Sequence, residues 1–313
     1  GMLVVLLTWL LAIRLFNRPT AVVATTIVTL YPSFLFASVL LLTELPFTLL
    51  LLAMVWCCDR LTQPKAPVAL AVGAGLTLGL AALTRSVLWP FFPLLAAWIF
   101  FAVPATRSKK AACSALCLVG YVAVVGPWAL RNTRLQHSPT VVDTMGGMNL
   151  RMGNYEFTPE DRMWDAVSIT GEKNWAAGLG QSHPESRSWT DGQKDKWAQG
   201  EAVRYMLANP ATTIRRSILK FADFWGLERE LVAGFQQGLY RPPTWFIAIA
   251  VASVLISYPL VALSASVGIF SAMPRRATHW LVLIISVFIV AVHAVVFGHS
   301  RYHMPLVPFL AMY

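Results

Sequence analysis

Apolar runs of near-spanning length, parted by short basic loops, leave this chain one solvent to fold in, the interior of a bilayer. About nine runs follow one another, at roughly residues 2–16, 20–34, 36–57, 68–86, 88–103, 112–129, 244–272, 280–298 and 304–313, measured against the roughly 17–25 residues a spanning helix needs. Hydrophobic residues make up 57% of the chain and charged residues 13%, a balance foreign to soluble domains. The pattern predicts an all-α polytopic membrane protein with one mixed extracytoplasmic region. Its parts are membrane helices over 1–129, the polar region over 130–243 and further membrane helices over 244–313. The chain begins inside one apolar run and stops inside another at Tyr313, as expected of a piece of a longer protein. No charged leader or small-residue cleavage site marks a signal peptide.

The formal charge of +10 does not point to nucleic acid, because the basic residues form short clusters between apolar runs and no continuous basic face. Arg14 and Arg18 close the first run, Arg60 and Lys65 the third, Arg107, Lys109 and Lys110 the fifth, and Arg275 and Arg276 the seventh. Every second loop is basic, which places those loops in the cytoplasm. The alternate connections, around Tyr31–Pro32, Arg85–Pro90, 130–243 and His299–Pro305, then face outward, to the periplasm if the cell is bacterial.

Glu44 is the costliest residue in this frame. It and Asp59 are the only acids before residue 143, and Glu44 lies between apolar runs with Pro32 and Pro46 on either side. A carboxylate bordering a bilayer segment is a functional candidate by default, and the prolines predict a backbone break that needs protein or water beside it. The plainer reading leaves Glu44 at the water line between two helices. The topology brings Arg85, Arg131 and the run His299-Ser300-Arg301-Tyr302-His303 to the same outer boundary. Arginine suits phosphate through paired hydrogen bonds. One arginine alone is more often an interfacial anchor. The positive-inside rule gives no reason to place several outside, which favours an anionic ligand.

The polar region holds every acid except Glu44 and Asp59. It opens on a glycine-rich turn sequence, Gly146-Gly147-Met148-Asn149-Leu150-Arg151-Met152-Gly153-Asn154, in which a ligand can approach the backbone closely. It is not a P-loop, for it lacks the Lys-Ser/Thr pair and the strand before it. Helices are predicted over 193–208 and 210–226, broken at Asn209-Pro210. Trp197, Tyr205, Phe221, Phe224 and Trp225 could form an amphipathic set lying on the membrane surface, and outward tryptophans could stack on sugar rings, but core packing plus an interfacial belt is the plainer reading for most of them. Cys57, Cys58, Cys113 and Cys117 lie in or beside apolar runs and read as helix-packing residues. His299 and His303 stand four apart, but no acid or cysteine nearby completes a metal site.

Six stretches occur in an order that carries a resemblance. They are Tyr31-Pro32-Ser33 with Thr43-Glu44-Leu45-Pro46, Gly79 to Arg85, Pro127-Trp128-Ala129-Leu130-Arg131-Asn132, Gly146 to Leu150, Gly153-Asn154, and His299 to Leu306. Together they resemble the GT-C-type membrane glycosyltransferases, in particular the bacterial branch related to protein O-mannosyltransferases and lipid A aminoarabinose transferase. The resemblance implies a polyprenyl-phosphate sugar donor, a lipid, glycan or protein acceptor, and inverting transfer on the outer face of the inner membrane. It assigns Glu44 a catalytic role, Arg85, Arg131 and Arg301 to the donor phosphate, and Tyr31, Asn132, Asn149, Tyr302 and His303 to the donor or acceptor pocket. No cofactor is demanded; a divalent ion, Mg or Mn, held at Glu44 is the candidate the resemblance supplies. The sequence departs from the family in one respect. The family's first-loop aspartate, its general base, has no counterpart before Glu44.

The residues support that chemistry apart from the name. Breaking a sugar–phosphate bond builds negative charge on the departing phosphate, which cations at a low-dielectric edge stabilise most in the transition state. The competing class is a transporter or flippase for an anionic lipid or solute, which requires charges strung across the bilayer or inverted repeats. A non-enzymatic envelope scaffold is the third reading.

Overall fold

The computed structural model describes residues 1–39, 42–161, 163–228, 242–271 and 276–313, and every regular element in them is helical. In chain order the α-helices begin with α1 (Met2–Leu15), α2 (Arg18–Leu30), α3 (Pro32–Val39), α4 (Glu44–Leu61), α5 (Ala69–Thr84), α6 (Phe92–Ala102) and α7 (Arg107–Gln136). The polar region supplies α8 (Gly146–Gly153), α9 (Leu179–Ser182), α10 (Asp191–Ala208) and α11 (Pro210–Phe224). Last come α12 (Thr244–Ser271), α13 (Ala277–Val295) and α14 (Val307–Met312). The chain forms two compact units. The first comprises 1–122, 226–287 and 303–313; the second comprises 123–225 and 288–302.

The protein is all-α and polytopic. Among the described residues, α7, α12 and α13 are long and apolar enough to cross a bilayer, and α2 with α3 makes a fourth if the 52° bend between them lies within one span. The remaining apolar helices, α1, α5 and 86–102, are shorter, and α4 carries Glu44, Asp59 and Arg60 at its ends. Two of the nine expected runs take another form. The run 36–57 is interrupted at Leu42 and Thr43, and α4 starts at Glu44. A carboxylate in the first turn is favoured by the helix dipole, and Pro46 is tolerated there because first-turn N–H groups have no partner to lose. The run 304–313 is a 3-10 stretch, Ser300–Leu306, followed by the short α14. Pro305 and Pro308 deny it the backbone donors of a longer helix. Arg275, one of the topology markers, lies outside the described residues.

In the first unit α4 and α5 pair as an antiparallel hairpin, and α1 packs on α2 and α4. Helices in lipid gain nothing from the hydrophobic effect between them and rely on close backbone approach. A Cβ on Gly75 would lie 2.0 Å from the Cys117 carbonyl oxygen, and one on Gly120 would lie 2.4 Å from that of Val72. The two glycines therefore let α5 and α7 cross in backbone contact. Cys58, Cys113 and Cys117 are buried free thiols in this packing. A polar pin joins three helices: Asp59, wholly buried, accepts from Arg14 Nε at 2.6 Å and from Thr278 Oγ1 at 3.0 Å.

In the second unit Thr190 and Gln193 form a capping box that starts α10, and the break at Asn209-Pro210 falls where the sequence predicts it. The glycine-rich stretch is not a loop. It forms α8, which packs against α10, and a Cβ on Gly147 would meet the Asp195 carbonyl oxygen at 2.0 Å. Gly147 and Gly153 serve close backbone contact, while Gly146 has open space around it. The predicted aromatic set also divides: Phe221 is exposed, Trp197, Tyr205 and Trp225 are half-buried, and Phe224 is fully buried. Met152, Tyr155, Met163, Ala166 and Phe297 form the core of this unit.

Two cations of α11 point into that unit. Arg216 donates to the carbonyl oxygens of Tyr155 (2.8 Å) and Thr158 (3.3 Å). Lys220, with no exposed surface, donates through Nζ to Asn154 Oδ1 at 2.9 Å and to the Val295 carbonyl oxygen at 2.8 Å. The latter is at the C-terminal end of α13, where the helix dipole favours a cation. Burial, with Arg216 adding repulsion, pushes the Lys220 ammonium down to about 7. Between about pH 7 and the ordinary lysine value of about 10.5, the unfolded chain holds a proton that the folded chain lacks. Stability from this group therefore rises with pH across that window and falls away as pH drops towards 7. Lys220→Met, which removes the titration, is expected to lose less thermal stability against the parent at about pH 6.5 than at about pH 9. A gap that stays constant with pH in detergent melting curves would mean that Lys220 titrates as it does in water.

Candidate active site

Hairpin geometry brings the first two site residues together. Because α4 and α5 run antiparallel, the start of one lies beside the end of the other. Glu44 is the first residue of α4, and Arg85 follows α5 in extended conformation, with φ −144° and ψ 116°. Their side chains pair at 3.0 Å, with Glu44 almost wholly buried and Arg85 17% exposed. Each charge also sits at the favourable pole of its own helix, the carboxylate at an N-terminus and the guanidinium at a C-terminus. The Arg85 guanidinium lies 5.8 Å from the centroid of the Phe47 ring. Forty-one positions part the two in sequence, and only the pairing of the helices joins them.

A second cluster in the same unit forms around Glu228, which the sequence reading did not single out. Its buried carboxylate accepts from Tyr31 Oη at 3.0 Å and from Ser33 Oγ, and it meets His303 Nε2 at 2.9 Å. Tyr258 stacks on the His303 ring, 4.1 Å between centroids and 11° between planes. Tyr31 and His303, expected in one pocket, do converge, and the residue that joins them is the unexpected acid. The signal was present but weak. Glu228 is one of many acids in the polar region, and its place just past an amphipathic helix was the only mark it carried.

The remaining site residues belong to the second unit. Arg131 donates to Asn132 Oδ1 at 3.1 Å, and its guanidinium lies 5.1 Å from the Trp128 ring. Asn132 Nδ2 and Trp128 Nε1 both donate to the Val142 carbonyl oxygen, each at 2.8 Å. The Pro127–Asn132 motif thus fastens the end of α7 to the chain that follows it. Asn149 is half-buried on α8. Tyr302 packs on His293, with centroids 4.5 Å apart, and on His299 at 5.7 Å. Arg301 is half-buried, and its backbone N–H donates to His299 Nδ1 at 3.1 Å.

Among the described residues no three His, Cys, Asp or Glu side chains gather as metal ligands. At Glu44 a divalent cation would have to sit beside the Arg85 guanidinium, which repels it. The pair as arranged does not suit a divalent metal ion.

A helical, polytopic membrane protein with a buried carboxylate–guanidinium pair at the end of a helix hairpin is the class that fold and site define. Residues 1–130 match the family model described as dolichyl-phosphate-mannose-protein mannosyltransferase. Glu44 and Arg85 lie within the matched residues, which make up the first two-fifths of the chain. No curated protein and no solved structure matches the chain.

Removing the Glu228 carboxylate strands three polar partners, so Glu228→Ala is expected to lower the melting temperature in detergent. The loss corresponds to about 1–3 kcal/mol for each buried donor left unmet. Because Glu228 and His303 share one contact, Glu228→Ala with His303→Ala should cost clearly less than the two single losses added. Simple additivity would deny the pair any mutual stabilisation.

Proposed function

We propose that the protein transfers a sugar from a polyprenyl-phosphate donor to a lipid, glycan or protein acceptor at the extracytoplasmic face of the membrane. The observation that carries this reading is the Glu44–Arg85 pair, buried at one end of the α4–α5 hairpin within the residues that match the family. Arg85 is suited to the donor phosphate, since a guanidinium presents two parallel donors to its oxygens. As the bond between phosphate and anomeric carbon breaks, the electron pair stays with the polyprenyl phosphate. A fixed cation at that oxygen stabilises the growing charge. The acceptor hydroxyl attacks the anomeric carbon from the opposite side, and its proton passes to the Glu44 carboxylate. Protonation of Glu44 neutralises the partner of Arg85, so the guanidinium turns its full charge to the phosphate as that charge appears.

The hairpin also speaks against carriage of an anion across the bilayer. Its charged residues stand at its ends, Glu44 and Arg85 at one and Asp59, Arg60 and Lys65 at the other, with none along the helices between. A transport path needs polar stations at intermediate depth.

The test is transfer of radiolabelled sugar from a polyprenyl-phosphate donor by the intact protein in proteoliposomes. Arg85→Ala is expected to lower turnover by about a hundredfold or more, as for loss of one preorganised transition-state donor, and Glu44→Gln to lower it with little change in donor binding. Arg131→Ala, in the second unit, tests the assignment of that arginine to the donor phosphate. Parental turnover in Arg85→Ala would remove Arg85 from the transfer site.

A further inference from the structure

One helix of the second unit is built inside out for water. On α11 the exposed positions include Ala211, Ile214, Ile218 and Phe221, spaced three and four apart along one face. Ile214 and Ile218 are each 63% exposed. The opposite face, turned into the protein, carries Arg216, Lys220 and Phe224. A soluble domain places its cations outward and its isoleucines inward; α11 does the reverse. Leu207, at the end of α10 just before the Asn209-Pro210 break, continues the apolar surface at 78% exposure.

The height of that surface is fixed by the inner face. Lys220 Nζ binds the carbonyl oxygen of Val295, the last residue of α13. That helix has 19 residues and is apolar enough to span. At about 1.5 Å per residue it crosses roughly the hydrocarbon thickness of a bilayer, so its final carbonyl lies near the boundary. The contact leaves no slack. A Cβ on Gly298 would come within 2.0 Å of the Lys220 carbonyl oxygen, and one on Gly153 within 2.1 Å of the Val296 carbonyl oxygen. Val295 is itself exposed at this level. The contact therefore sets α11 at about the level where that helix leaves the hydrocarbon.

We propose that α11 lies in the plane of the outer bilayer surface, with Ala211, Ile214, Ile218 and Phe221 seated at the boundary between headgroups and acyl chains. The occupant of this face is lipid. Arg215, the charged residue on its flank, is already engaged by Glu160, so the face offers little to a polar protein partner, while an apolar stripe of this width is what an in-plane helix buries in lipid. The proposal depends on the membrane character of the fold and not on sugar transfer, so the two can fail separately.

Spin-label accessibility tests it on the intact protein in phosphatidylethanolamine/phosphatidylglycerol nanodiscs. Nitroxides are placed singly by Ile214→Cys, Ile218→Cys and Phe221→Cys, with exposed Glu185→Cys as the aqueous reference and the parent chain labelled in parallel for its own thiols. At 214, 218 and 221 relaxation by oxygen is expected to exceed that by a water-soluble nickel chelate, and at 185 the order should reverse. Nickel access at the three positions equal to that at 185 would place the face in water and overturn the proposal. Protection from both reagents would show a protein surface, a second copy or another partner, covering it and would overturn it equally.

Discussion

A charge placed in or beside hydrocarbon must find its partner within the protein, and this one constraint orders most of the polar geometry seen here. Asp59 is held by Arg14 and Thr278, Glu44 by Arg85, and Glu228 by a tyrosine, a serine and a histidine. Lys220 rests on the last carbonyl of a spanning helix. Each grouping joins segments far apart in sequence, so the residues that are costliest to bury also tie helices together. Breaking such a pair is dearer than never having made it, because the survivor stays buried without its countercharge.

The apolar contacts work by closeness. Helix packing in lipid has no hydrophobic driving force of its own, and in the first unit Gly75 and Gly120 let backbones touch; in the second unit Gly147 and Gly153 allow the same closeness beside a hydrophobic core. Close packing in turn controls the site. The antiparallel α4–α5 hairpin sets Glu44 beside Arg85, and each residue occupies the helix terminus whose dipole favours its charge. In the transfer we propose, protonating one member of the pair frees the other for the charge that grows on phosphate.

Some of this was legible from residue order. Glu44 stood out as an acid among apolar runs, Pro32 predicted a break that appears as a 52° bend, and Asn209-Pro210 predicted the end of α10. Other readings failed for identifiable reasons. The stretch from Gly146 looked like a turn because glycine frees the backbone, yet the same absence of a side chain also lets two helices meet, and composition does not tell these uses apart. Phe224 is fully buried, in line with the core reading of the aromatic set, but the isoleucines that do face outward were passed over. Glu228 was lost among the other acids of the polar region because its environment, not its neighbours in sequence, makes it unusual.

What the chain determined by itself was its solvent, its helical class and several helix ends, such as the break at Asn209-Pro210, since hydropathy, dipoles, caps and proline act over a few residues. What only the tertiary structure decided was partnership: that Glu44 meets Arg85, that Tyr31 reaches Glu228 across 197 positions, and that Lys220 turns inward to the end of α13. Electrostatic pairing acts through space and is blind to sequence separation, so it becomes readable only when packing has fixed which helix ends lie side by side.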